Sequence, residues 1–398
     1  MSKILITGNG FDLFHHLPTK YHHFISIMKT IENQNYDRML LFEDIFGKSF
    51  KVDFPNDFNL IVENYNTDEI IFDFNKVNEL SNLLNVNPWY KYFKNVLEVD
   101  TWIDFEIEIE VVLNQLSIFN KYDDKSIIRS NRFRDPLMKE TDFDLFDLIK
   151  HQASSCFTIN EKYINNRKGS IDVKGILADL ISSFEEFILI FNRYLKDVVG
   201  NFYDATKSKV NLPFHLLDHI YTFNYTPTLE RLYNIATLKI TYLHGKLGED
   251  TTQNLVLGVS ELPEQIKNSR IFDFTKYYQK VKKNSNLKFI DLSKVAKSNL
   301  SQTVFYIMGH SLDESDKEYI FDLFEYLKLD KQKWSKICVF CYSEQDKESK
   351  LRNLFNIIDK DIILEMNKTG RLYFSSLTNE NISKELEKEL RVYKITFG

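Results

Sequence analysis

A short apolar run that breaks on glycine constrains this chain more than any other feature. Ile4-Leu5-Ile6 passes through Thr7 into Gly8-Asn9-Gly10-Phe11-Asp12-Leu13-Phe14. Consecutive branched apolar residues mark a strand buried on both faces, the situation of a central parallel strand with helices above and below. The glycines let the backbone turn sharply and approach a ligand, with N–H groups offered to phosphate or another anion. Gly-x-Gly without the third glycine of the dinucleotide fingerprint is also an ordinary turn. The functional reading gains weight because similar constructions return three times near the other end of the chain.

After the turn, Leu17-Pro18-Thr19 reads as a helix entry, and Tyr21, Phe24, Ile25, Met28 and Ile31 recur at helical spacing. Residues 1–36 therefore form a first strand-loop-helix unit, and 37–212 a mainly helical insertion. The clearest helix there is Leu177 to Val198, with Gly200 placed to stop it. Thr101 to Leu113, which includes Trp102 and Glu106, alternates like a strand but opens like a helix, and we read it as helix. Residues 213–398 resume the α/β pattern. His219 to Asn224 is followed by a helix expected to use Thr226 as its cap and Pro227 as its first residue. Further strands are expected at Lys239–Leu243, Leu255–Leu257, Thr303–Met308, Ile337–Tyr342, Arg371–Phe374 and Val392–Phe397. Ser315 with Glu318 suggests a capping box, and helices are expected through Leu354 and near Glu380–Leu390. Strands alternating with helices give an α/β fold, a Rossmann-like and mostly parallel sheet carrying a large helical insertion.

Composition narrows the function. With 43% apolar and 14% aromatic residues the chain can bury a large core, and a net charge of -6 carries no polyanion footprint, so nucleic acid is not expected as a partner. Three cysteines give neither a disulfide framework nor a Cys-based zinc site, and no metal is expected. Cys338 and Cys341, three apart on a strand, should point to opposite faces as buried thiols. Met1-Ser2-Lys3 leads directly into the first strand, and no stretch approaches 18 apolar residues, so a soluble, cytoplasmic protein without membrane contact is expected.

In a parallel sheet, ligands bind outside the carboxyl ends of the strands. Four strands here end in Gly8-Asn9-Gly10-Phe11-Asp12, Phe223-Asn224-Tyr225, His244-Gly245 and Gly309-His310-Ser311. If they are parallel, these residues gather on one rim.

The order of these motifs, together with Leu17-Pro18-Thr19-x-Tyr21, Trp102 with Glu106, and Leu312 with Asp316, resembles the AbiH family of bacterial abortive-infection proteins. His16 departs from it, standing where the family often has glycine. More distantly, Gly-x-Gly, Thr222-x-Asn224, His244-Gly245 and Gly309-x-Ser311-Leu312 are similar in order to sirtuin-type NAD-binding domains, without the four-cysteine zinc module of the deacetylating members. The resemblance implies an antiphage effector that hydrolyses the N-glycosidic bond of NAD or a related nucleotide, triggered by a phage component, with the insertion a candidate surface for a homo-oligomer. It implies Asn224 and His244 as catalytic residues and Gly309, His310 and Ser311 as a nucleotide-contacting loop.

The chemistry suits these residue types. Cleavage at the nicotinamide ribose builds positive charge on the sugar and needs a placed ribose and an activated oxygen nucleophile. His244 is the expected general base, since its ordinary pKa lies near operating pH. Asn224 would orient a ribose hydroxyl or water, Asn9 and Asp12 would hold ribose or stabilise charge, and the amides around Gly8 and Gly10 would receive phosphate. Each has a plainer alternative. Asn224 and Asp12 suit helix caps, His244 and His310 suit core positions, Ser311 suits a strand end, and Glu106 suits a solvated helix face. A sensor without turnover and an RNA-directed toxin are the competing functions.

Overall fold

The computed structural model describes residues 2–99, 104–120, 140–152, 156–165, 170–208, 211–269, 271–285, 289–290, 302–330 and 333–390. Six strands form one sheet: β1 (Ser2–Thr7), β2 (His219–Thr222), β3 (Ile240–Tyr242), β4 (Thr303–Met308), β5 (Lys336–Cys341) and β6 (Leu372–Ser376). Their spatial order is β3-β2-β1-β4-β5-β6, and every pairing is parallel. The expected Rossmann-like α/β sheet is present. The strand order reverses between β1 and β4, which makes that crevice the topological switch point where such sheets take ligands. Thr7 pairs with both Met308 and Thr222, so the loops after β1, β2 and β4 leave the sheet at one level.

The helices that frame the sheet and its rim are α1 (Asn9–Phe14), α2 (Tyr21–Ile31), α3 (Phe105–Asn120), α4 (Val173–Arg193), α5 (Thr228–Tyr233), α6 (Lys276–Lys282), α7 (Lys317–Leu329), α8 (Glu344–Ile357), α9 (Lys360–Lys368) and α10 (Asn379–Glu387). Ile6, Phe305, Ile307 and Val339 pack on α7 and α9, while Leu5, Tyr306, Cys338 and Phe340 face α5 and α10. Continuous apolar strands are thus explained by cover on both faces, each fully buried large side chain contributing roughly 1.5–3 kcal/mol. Cys338 and Cys341 fall in opposite clusters, as their spacing requires.

A separate aromatic-rich cluster runs from Leu17 to Ala205 and also takes in Leu255 to Phe274. Phe24, Phe105, Phe187 and Phe191 meet edge to face within it. The helix expected to end before Gly200 continues past it, as a π-helical turn over Tyr194–Val198 and a 3-10 stretch over Val199–Ala205. Tyr194, Leu195, Val198, Val199 and Phe202 are all buried, so packing overrides the glycine stop signal. Among the described residues of this region three two-stranded antiparallel ladders also occur, including Leu40–Leu41 with Ile71–Phe72.

Other expectations are corrected. Leu255–Leu257 is buried but is no strand. Its backbone is met by His244 O, by the Gln279 side chain and by the Tyr225 hydroxyl rather than by a ladder. Pro227, not Thr226, precedes α5, because the Thr226 hydroxyl turns to Asp12. Ser315 and Glu318 form no capping box, since the Asp313 side chain accepts from the Ser315 amide and the first turn is 3-10. Trp102 and the strand expected at Val392–Phe397 lie outside the described residues.

Two positive-φ glycines separate steric fit from backbone freedom. Gly309 has φ +70°, and a Cβ there would stand 2.1 Å from the Phe11 nitrogen and 2.4 Å from the Gly10 carbonyl carbon. Gly370 has φ +69° with nothing within 4 Å. Gly370→Ala should cost about 1–2 kcal/mol, the left-handed penalty alone. Gly309→Ala should cost about 3 kcal/mol or more, because the β1 and β4 loops must also separate. Urea unfolding of both variants measures the difference, and equal losses would contradict this account.

Candidate functional site

The β1–α1 loop, the β2–α5 loop, the segment after β3 and the β4–α7 loop converge at the carboxyl edge of the sheet. With Thr19, Tyr21, Asp104 and Glu106 from the helical side they line a cavity of about 330 Å³. The candidate site residues of the sequence, Gly8, Asn9, Gly10, Asp12, Asn224, His244, Gly309, His310 and Ser311, all lie on its wall. Parallel strands have brought together residues more than 300 positions apart.

The glycines play a different part from the expected one. The Gly8 amide donates to Met308 O at 3.3 Å and the Gly10 amide to Gly309 O at 2.8 Å, so neither is held out for phosphate. A Cβ on Gly8 would lie 2.8 Å from Gly309 O, and one on Gly10 2.7 Å from the Gly309 Cα. Glycine is needed here so that two loops can pack backbone on backbone. Asn9 is exposed at the mouth, with its side-chain amide donating to Thr19 O at 3.2 Å.

Asp12 is buried behind the rim and clamps the β2 loop. Thr226 Oγ1 donates to Oδ2 at 2.5 Å and Thr228 Oγ1 to Oδ1 at 2.6 Å. Burial pushes its carboxyl up to about 6, against the hydrogen bonds of Thr226, Thr228 and Asn224 that favour the charged form. With both oxygens engaged, Asp12 acts through the loop that carries Asn224. The Asn224 amide N–H donates to Thr222 Oγ1, which in turn accepts from Thr7 Oγ1 across the β1–β2 pair. Its side-chain oxygen is different. Asn224 is 6% exposed, yet Oδ1 has no protein partner.

Asp316 is the centre of the opposite wall. His244 Nε2 lies 3.1 Å from Oδ1, His310 Nε2 3.4 Å from Oδ2, and Lys276 Nζ 3.6 Å from Oδ1. The His244 contact is close but off hydrogen-bonding geometry. Burial alone would raise the Asp316 carboxyl, but Lys276 and the two histidines hold it well below the usual carboxylate range. The Leu312 amide donates to His310 Nδ1 at 2.9 Å, which fixes that nitrogen as the acceptor and directs the Nε2 proton to Asp316. His310 is thereby engaged at both nitrogens. Burial lowers His244 to about 4, despite Asp316, so it is neutral near pH 7 and not poised there as expected. An ionised Asp316 favours the proton on Nε2 and leaves Nδ1 as an acceptor.

The sequence underrated the helical contribution. Glu106, at the start of α3, lines the cavity and meets Lys276 of α6 at 2.8 Å. Burial raises its carboxyl from the ordinary 4.5 to about 7, with Lys276 opposing and Asp316 adding to the rise. Lys276 is itself buried. Burial alone would lower it, but Asp316 and Glu106 reverse the effect and keep it charged. Nothing in the sequence distinguishes Lys276 from its neighbours Lys280, Lys282 and Lys283. Among the described residues no group of His, Cys, Asp or Glu side chains is arranged to hold a metal ion.

These shifts have opposite signs in stability. Glu106 binds its proton more tightly folded than unfolded, so its contribution falls as pH rises from about 4.5 to about 7. His244 binds its proton more weakly when folded, so its contribution is lost as pH falls from about 6.5 to about 4. In Glu106→Gln the first effect is removed. The variant should gain on the wild type by roughly 1–3 kcal/mol between pH 5 and 7.5 in urea titrations. A difference that stays flat across that range would show that Glu106 is not held protonated.

No helix among the described residues is long and apolar enough to cross a membrane. No curated protein and no solved structure matches the chain. A family profile described as Bacteriophage abortive infection AbiH matches residues 4–338, which takes in the rim loops of β1, β2, β3 and β4 and the helical layer that supplies Glu106 and Lys276. The chain belongs to the AbiH family of bacteriophage abortive-infection proteins.

Proposed function

We propose that this abortive-infection protein binds NAD or a related nucleotide in the rim cavity and hydrolyses its N-glycosidic bond. The observation that carries the reading is the Asn224 side-chain oxygen, buried, unpartnered and on the wall of a cavity at the switch point. Leaving such an acceptor without a donor costs about 1–3 kcal/mol, a cost a ligand hydroxyl removes on binding. Thr19 Oγ1, buried on the same wall, is unpartnered too.

In this reading Asn224 accepts from a ribose hydroxyl and fixes the sugar against the wall of ionisable groups. The bond between the ribose C1′ and the pyridinium nitrogen breaks with its electron pair passing to nitrogen, so nicotinamide leaves neutral. Water adds its oxygen to C1′ and gives its proton to an acceptor. Neutral His244, with Nε2 directed to Asp316, offers Nδ1 for that proton, and the Asp316 carboxylate stabilises the imidazolium that forms. Glu106, with a value of about 7, is matched to exchange the proton with solvent. Asp12 positions Asn224, and the Asp316 carboxylate adds negative charge near a developing oxocarbenium centre.

The low value of His244 also favours a second reading, a nucleotide sensor without turnover, since a base at about 4 is weak in the unliganded protein. Mass spectrometry of purified protein incubated with NAD separates the two. Nicotinamide and ADP-ribose should appear, and Asn224→Ala and His244→Ala, each shown to be folded, should lower the rate by about 100-fold or more. Full activity in both variants would overturn the site assignment. Thermal stabilisation by NAD with no product would favour the sensor.

A further inference from the structure

A second cavity, of about 760 Å³, opens on the other side of the glycine contact. It shares Gly10, Leu13 and Gly309 to Ser311 with the first, so the two spaces are separated by one loop and meet across the β1–β4 switch point. The first, at about 330 Å³, lies at the bottom of the range for small-molecule sites. It suits one nucleoside better than two joined through a pyrophosphate.

The two cavities differ in the unpartnered acceptors on their walls. The first is lined by ionisable groups and unpartnered acceptors. The second sets Phe14, Leu60 and Leu377 among ionisable groups that include Lys20 and Asp57, and at the end of β5 it carries Tyr342, which is 80% exposed. An exposed tyrosine is ordinary by itself, but the backbone of this one is held in place. The Tyr342 amide donates to Asp346 Oδ2 at 2.8 Å, and Lys350 Nζ meets the same oxygen at 2.5 Å. Lys350 is buried and also donates to Phe340 O. A ring on a fixed backbone, beside a cavity that also offers Phe14, Leu60 and Leu377, is a surface on which a flat base can stack at low entropic cost.

We propose that the ligand is a dinucleotide bound across both cavities, its cleavable nucleoside in the first and its adenosine half in the second, stacked on Tyr342. The pyrophosphate crosses at the shared loop between Asn9 and Ser311, both of which are exposed there. This rests on the reading of the first cavity as the seat of N-glycosidic cleavage, but makes a separate demand, that a mononucleotide fills only half of the site.

The test uses AMP and nicotinamide mononucleotide as probes of the two halves, by calorimetry on the full chain, beside NAD cleavage. The two mononucleotides should bind together without competing. Tyr342→Ala should weaken AMP by roughly tenfold or more, leave nicotinamide mononucleotide unchanged and raise KM for NAD, while Tyr342→Phe retains wild-type behaviour. Absence of AMP binding, competition between the two probes, or unaltered AMP affinity in Tyr342→Ala would overturn the proposal. If NAD is cleaved with unchanged KM in Tyr342→Ala, the two-cavity site falls and the cleavage stands. If AMP binding depends on Tyr342 but NAD stays intact in every assay, the dinucleotide site stands and the hydrolytic reading falls.

Discussion

The contact on which the rest of this molecule depends is the backbone-on-backbone packing of two loops at the switch point. Gly8 and Gly10 at the end of β1 meet Gly309 at the end of β4, with the Gly10 amide donating to Gly309 O. Parallel register puts these loops level, and glycine allows them to touch. Side chains in their place would force the strand ends apart and open the crevice between the two cavities. The same contact fixes where His310 stands, because it follows directly on Gly309, and through His310 it fixes one side of Asp316. A local feature of the sequence thus sets the geometry of charges more than 300 residues away in the chain.

Much of this was legible in the sequence, and the reasons are physical. Strands covered on both faces need unbroken apolar runs, so β1, β4 and β5 announce themselves, and a parallel sheet sends their carboxyl ends to one edge. That logic alone placed Asn224, His244 and the two glycine loops on one wall. His16, where the sequence departs from the motif, has a left-handed backbone of φ +58°. What the sequence could not show was the use of each group. The Gly8 and Gly10 amides look free in a one-dimensional reading and are engaged in three dimensions. Thr226 looks like a cap, yet Asp12 takes its hydroxyl because a buried carboxyl gains more from that bond than α5 would.

Lys276 and Glu106 were hidden for another reason. Helix periodicity reports which residues face a core, but a charge buried against charges on another element leaves no periodic trace. Each reads as part of a solvated face until the tertiary structure sets them 2.8 Å apart. Leu255–Leu257 is the converse case. Its apolar run signalled burial correctly, but a ladder partner was never required, since Gln279 and Tyr225 satisfy its backbone from their side chains.

The ionisable wall shows how such placement divides equivalent chemistry. Asp316 and Glu106 are both carboxyls, both partly buried on the wall of one cavity and both beside Lys276. Asp316 has two imidazoles in addition and stays ionised, whereas Glu106 has the lysine, faces the charge of Asp316, and rises to about 7. The number of donors around each oxygen pair therefore decides which group carries fixed charge and which can exchange a proton near neutral pH. Because Glu106 and Lys276 lie on helices outside the sheet while Asp316 and the histidines follow its strands, the division exists only when the helical layer is seated on the rim. The cavity is in this sense a property of the contact between the two layers, and neither half of the chain contains it alone.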